Sequence, residues 1–344
     1  MSMHTTVTEQ VVKTARHTSF YLGAGRADAP LIIFVHGWPE LSISWRHQLQ
    51  CFAALGFRVV APDMRGYGRS TVHAGLGDYA LEHIVADMRE LLAGLGSKSA
   101  LWVGHDWGAQ VVWSLAQQHP ELVQGLASLC VPYLPGGFCP DQVIPLVDRA
   151  LYPAEHYPAG QWDYQLFYEE QFERACAVFD AQPRNLIKAL FRKGSPAGRG
   201  KPAGTASVRR NGGWFGGADM APDLPLDTDL LSVEDLQRYA TALAINGSFG
   251  PNAWYMNAQA NLDYARRAAQ GDRLAMPVLF FHAAYDYVCD TIGSRLAEPM
   301  RAACADLTEL TVPTGHWMAQ ERPELVNAAL ARWLAARFPQ HWPG

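Results

Sequence analysis

The sequence predicts an α/β fold: a mostly parallel central sheet with helices on both faces. Two observations carry that reading. Short, continuous, β-rich apolar runs suit strands buried on both faces, and segments of helical apolar spacing separate them. In chain order, residues 31–35 form the first such run and end in His36-Gly37, and residues 57–61 form the second and end in Pro62-Asp63. Residues 44–55 lie between them at helical spacing; residues 81–95 do so again, with Gly94 and Gly96 as stop signals. Residues 100–103 predict a further strand, followed by Gly104-His105-Asp106-Trp107-Gly108 and a helix over 109–118 that closes at His119-Pro120. After another strand-like run at 126–129 the rhythm breaks. It resumes with strands at 276–281 and 307–312 and ends in an amphipathic helix over 323–338.

Between about 132 and 270 the chain carries aromatic-rich helical stretches and no comparable buried run. The expected organisation is a core in two parts, 1–131 and 271–344, interrupted by a helical cap over 132–270. Inside the cap, residues 192–217 gather Gly, Pro and basic side chains, a composition that favours a mobile loop over any regular element.

Composition narrows the function classes. A chain of 344 residues with 49% hydrophobic residues can bury a large core without disulfide or metal staples. Twenty-eight basic against 33 acidic residues give a net charge of -5, too mild for nucleic acid or an anionic membrane, so a small neutral partner is expected. The six cysteines form no C-x-x-C pair and no Cys/His cluster at zinc spacing, and all six are read as reduced. The first 20 residues lack the apolar core of a signal peptide, and no apolar run approaches the roughly 20 residues of a membrane helix. A cytoplasmic protein is expected, as monomer or homodimer.

The chemistry begins at Asp106. A strand-to-helix turn with small residues on either side forces its central side chain into a strained, exposed position at the carboxyl end of the sheet. Asp106 could instead simply cap the helix that follows. Two later residues favour chemistry: Asp286 and His316 each lie just beyond a strand-like run. The order nucleophile, acid, histidine is that of the α/β-hydrolase triad.

On His36-Gly37-Trp38-Pro39, Asp63 to Ser70, Gly104 to Ala109, Asp286 and Gly315-His316-Trp317, the chain resembles α/β-hydrolases with an aspartate nucleophile, and within them the epoxide hydrolases. The resemblance spans nearly the whole chain and implies the α/β-hydrolase fold, with the helical insertion as its cap. An acid at the turn implies alkyl transfer, since a carboxylate forms an ester that water can cleave whereas a serine would form an ether. Epoxides and alkyl halides both meet that need. The resemblance assigns Tyr164 and Tyr255 as proton donors to the epoxide oxygen, with Tyr168 as the nearest substitute for Tyr164. It assigns the backbone N–H groups of Trp38 and Trp107 to an oxyanion hole, gives His36, Gly37, Pro39 and His105 supporting places, and implies a cis bond before Pro39. Asp290 and Asp263 are weaker rivals to Asp286.

The expected reaction is hydrolysis of a small lipophilic epoxide to a vicinal diol through an ester on Asp106, cleaved by water that His316, held by Asp286, activates. No cofactor and no metal is expected. Haloalkane or haloacid dehalogenation through the same aspartate is the alternative; haloalkane dehalogenases resemble the chain at His105-Asp106-Trp107 but typically carry Asn where Trp38 stands. A non-enzymatic binding role would go with a broken triad, and a carboxylic esterase would need serine at 106.

Overall fold

The computed structural model describes residues 6–269 and 271–342. Residue 270, at the expected boundary between cap and core, residues 343 and 344, and the first five residues of the segment read for a signal peptide lie outside them. Eight strands form one sheet: β1 (Thr8–Lys13), β2 (Thr18–Ala24), β3 (Leu31–Val35), β4 (Arg58–Pro62), β5 (Ala100–His105), β6 (Val123–Leu129), β7 (Leu274–Ala283) and β8 (Cys304–Val312). Their order is β1-β2-β4-β3-β5-β6-β7-β8. All pairs from β4 to β8 are parallel, and β2 joins β4 antiparallel, as β1 joins β2. The chain therefore has the mostly parallel sheet that the pattern predicts.

Every residue of β3 and of β5 is buried, which explains why both read as unbroken apolar runs. Helices α1 (Arg46–Ala54), α2 (Leu81–Gly94) and α3 (Trp107–Gln118) return the chain between strands. The first is shorter than the spacing over 44–55 predicts, because Ser42–Trp45 form a 3-10 turn ahead of it. Two strands were not foreseen. β1 is exposed along most of its length and so carries a polar edge-strand sequence, and the buried β2 mixes Thr, Ser and Gly into its apolar residues.

Among the described residues, 132–269 hold helices and no strand; the longest helices are Asp163–Glu170, Phe172–Ala181, Pro183–Leu190, Val233–Asn246 and Ala258–Arg266. The Gly-rich stretch read as a loop carries short 3-10 turns at Pro196–Gly198 and Gly204–Ser207, and Phe215 and Gly216 take up left-handed φ/ψ. It is also fastened to the core. Phe191 stacks on Trp317 at 4.2 Å, the Trp317 indole donates to the Leu190 carbonyl at 2.9 Å, and the Tyr287 hydroxyl donates to the Ser195 carbonyl at 2.8 Å. Composition could not show this, because two of these contacts end on backbone carbonyls that any residue supplies and the third pairs rings far apart in the sequence. Among the described residues, no helix is long and apolar enough to cross a membrane.

Candidate active site

The parallel strands end on one edge of the sheet, and the residues singled out from the sequence converge there. Asp106 follows β5 and precedes α3 with φ 52° and ψ -125°, a conformation that L-residues rarely adopt, and its side chain makes no capping bond to the helix. The capping role is thereby set aside. Close packing explains the small neighbours: a Cβ on Gly108 would lie 2.1 Å from the Val35 carbonyl oxygen, and one on Gly37 would lie 2.4 Å from Asp106 Oδ1.

The two carboxylate oxygens of Asp106 face different groups. The Trp38 backbone N–H donates to Oδ1 at 2.7 Å, whereas Oδ2 stands 3.4 Å from His316 Nε2. The peptide bond between Trp38 and Pro39 is cis. The Trp107 backbone nitrogen begins α3, and a Cβ on Gly37 would lie 2.7 Å from it; at a helix start the exposed amides and the dipole favour negative charge. His36 braces this turn, its ring bonded to the Gly37 carbonyl at 2.9 Å and accepting from the Met64 N–H at 2.9 Å.

On the far side of its ring, His316 Nδ1 donates to Asp286 Oδ2 at 2.6 Å. The other oxygen of Asp286 accepts the N–H groups of Val288 and Cys289, at 3.1 and 3.0 Å. Burial works against charge on His316, but Asp286 and Asp106 together hold its pKa well above the ordinary histidine value. Burial likewise raises Asp286, and His316 with those hydrogen bonds brings it below the usual carboxylate range. The rivals are engaged elsewhere: Asp290 accepts from Ile292 and Gly293, and Asp263 pairs with Arg266.

Tyr164 and Tyr255 line a small cavity of about 10 Å³ together with Asp106, Trp107 and Gln110. Their rings meet edge to face at 5.8 Å. Tyr168 does not line the cavity but stacks on Tyr255 at 4.4 Å, fully buried. Burial, and then neighbouring groups that include Asp106, raises both cavity tyrosines above the ordinary phenol value, so they stay protonated. The Gln165 amide donates to the Tyr164 oxygen at 3.4 Å, leaving the phenol hydrogen free. A larger cavity, of about 410 Å³, lies between Phe20, Ile43 and Ile245, away from these groups.

Sequence reasoning missed Glu40. This buried acid accepts from His105 Nδ1 at 2.7 Å and from the Gly37 N–H at 2.9 Å, while His105 Nε2 reaches the His316 carbonyl at 2.8 Å. Burial opposes ionisation of both, yet the contact raises His105 and lowers Glu40, giving a buried ion pair beside the Asp106 turn. An acid directly after His36-Gly37-Trp38-Pro39 was the available signal. Glu321 was missed too. Its carboxylate accepts the N–H groups of Gly194, in the cap, and Gly315, beside His316, at 3.0 and 2.9 Å. His105, Cys130 and His316 bring three possible metal-ligating atoms within 4.8 Å, and the His105 ring and the Cys130 thiol both already bond the His316 carbonyl.

Comparison with known proteins agrees with this geometry. The alpha/beta hydrolase fold family matches residues 30–323. Epoxide hydrolase A of Mycobacterium tuberculosis is 32% identical over 95% of this chain and 97% of its own length. Bifunctional epoxide hydrolase 2 of Sus scrofa is 31% identical over 89% of this chain, which spans only 51% of that relative. The crystal structure of epoxide hydrolase A from Mycobacterium thermoresistibile superposes with a TM-score of 0.79 at 30% identity, covering 96% of this chain and 98% of the other. A match of this extent to both the fold family and a full-length relative establishes that the chain belongs to the α/β-hydrolase family and, within it, to the epoxide hydrolases.

Proposed function

We propose that the chain hydrolyses small lipophilic epoxides to vicinal diols in two steps, acting in the cytoplasm. The observation that carries the reading is the division of the Asp106 carboxylate, one oxygen on the Trp38 N–H and the other toward His316, in a cavity lined by Tyr164 and Tyr255. The six free thiols support the location.

In the first step Asp106 Oδ2 attacks a ring carbon, the carbon–oxygen bond opens, and a cavity tyrosine gives its proton to the leaving oxygen. A hydroxyalkyl ester and a tyrosinate result. Esterification removes one of the two carboxylates that hold the His316 proton, so His316 can return that proton to the tyrosinate and become a neutral base. In the second step His316 takes a proton from water as the water oxygen attacks the ester carbonyl. The Trp38 and Trp107 N–H groups receive the oxyanion on Oδ1. Collapse expels the diol alkoxide, which takes the His316 proton, and the acid form of Asp106 reprotonates His316 to restore the starting state. Each proton lost in one step is regained in another.

Halide release is less well served. In that reading the Trp107 indole binds the halide and the Trp38 turn would have to supply a second donor, but the Trp38 indole N–H donates to Asn252 at 3.0 Å. Parallel assays separate the two reactions: diol from 1,2-epoxypentane is expected and bromide from 1-bromobutane is not. Bromide release without diol would overturn the reading.

A further inference from the structure

The cavity wall beside the nucleophile carries a polar group for which the hydrolysis has no use. Gln110 lies in the first turns of α3, four residues beyond Asp106, and both residues line the same cavity. Gln110 is 5% exposed and lines the cavity with Asp106, Tyr164, Val131 and Cys289. Its amide nitrogen is buried without a hydrogen-bond partner among the described residues. Buried amides are nearly always paired, because burial strips water from two donors and an acceptor. Leu or Met would fill the same space without that cost. The polar groups nearby do not satisfy it: Gln165 bonds Tyr164, and the Asp106 oxygens face Trp38 and His316.

We propose that Gln110 reads an oxygen on the substrate, and that the preferred epoxides carry an ether or hydroxyl oxygen on the carbon attached to the ring, as glycidyl ethers do. The inference rests on the epoxide hydrolase reading above and adds the substituent to it. Because Gln110 and Asp106 line one cavity, an oxygen one methylene from the attacked ring is placed to accept the amide hydrogen at about 2.9 Å.

Methyl glycidyl ether and 1,2-epoxypentane differ by one oxygen in place of a methylene, so their ratio of kcat/KM reads the contact directly. The wild-type protein should favour the ether by about 10-fold, as a site with an otherwise unpaired donor discriminates against a substrate lacking the acceptor. Gln110→Leu removes the amide, and Gln110→Glu keeps its shape but replaces the donor with an acceptor. In both, the ratio should fall about 10-fold. A wild-type preference for the alkyl epoxide, or a ratio unchanged in either variant, would overturn the role of Gln110 while leaving epoxide hydrolysis intact. Turnover of neither epoxide by the wild-type protein would overturn the hydrolase reading itself, and this inference with it.

Discussion

His316 Nε2 stands 3.4 Å from Asp106 Oδ2, so the proposed base and the proposed nucleophile form one electrostatic unit rather than two independent groups. Charge on either stabilises charge on the other. On the proposed route, consuming the carboxylate is therefore what frees the base.

Asp106→Asn tests this coupling without any substrate. The wild-type His316 pKa lies well above the ordinary histidine value because two carboxylates flank the ring within a buried site. Removing one anion destabilises the imidazolium, so the pKa must fall in the variant. Titration of the imidazole resonances by NMR would show it, and an unchanged or higher pKa would contradict the coupling.

His316→Gln should separate the two steps. Alkylation needs only Asp106 and a proton donor, so the variant should gain the mass of the epoxide on the Asp106 peptide. Diol release should drop by about 1,000-fold. Diol formed at the wild-type rate would remove His316 from the role of base.

The cavity tyrosines are expected to act on the first step. Tyr255→Phe and Tyr164→Phe should each slow alkylation by about 10-fold to 100-fold in rapid-quench experiments, and the double variant should be nearly inert. Tyr168→Phe should change the rate little, since that ring lies outside the cavity.

Glu40→Gln tests the buried pair through stability. Removing one partner of a buried ion pair costs roughly 3 to 5 kcal/mol. His105 has a raised pKa, so its share of the stability is complete below about pH 6.5 and is lost as pH rises through the folded value. Glu40 has a lowered pKa, so its share is complete above about pH 4.5 and is lost as pH falls. The difference between wild type and variant in chemical denaturation should thus be greatest near pH 5 to 6 and shrink on both sides. A difference independent of pH would contradict the ion pair.

Gly194→Ala tests the fastening of the cap. The added Cβ would lie 2.1 Å from the Gly315 backbone nitrogen, a contact that backbone cannot relieve by changing rotamer. A loss of about 1 to 3 kcal/mol in stability is expected, with a larger effect on kcat than on the alkylation rate, because the displaced segment carries His316. Wild-type stability in thermal denaturation would show that the strap does not bear on that segment.

Much of this site was legible because strands buried on both faces advertise themselves as apolar runs, and the turns after them carry the reactive residues. Asp106 and Asp286 follow such runs, whereas His316 follows β8, the strand at the sheet's edge, whose residues are mostly exposed or half-buried. Tyr164 and Tyr168 show where legibility ended. Four residues apart on one short helix, they share a face, and only the packing of Tyr168 against Tyr255 separates them. Glu40 and Glu321 were hidden for another reason: their partners, His105 and the Gly194 and Gly315 amides, are brought to them by the tertiary fold.

A single turnover in water enriched in oxygen-18, with the protein in excess over 1,2-epoxypentane, tests the covalent route most directly. The oxygen added to the first diol comes from Asp106, so the account predicts unlabelled diol and label in the Asp106 peptide. Labelled diol from that first turnover, with an unlabelled peptide, would mean that water attacks the epoxide directly and that Asp106 is not the nucleophile.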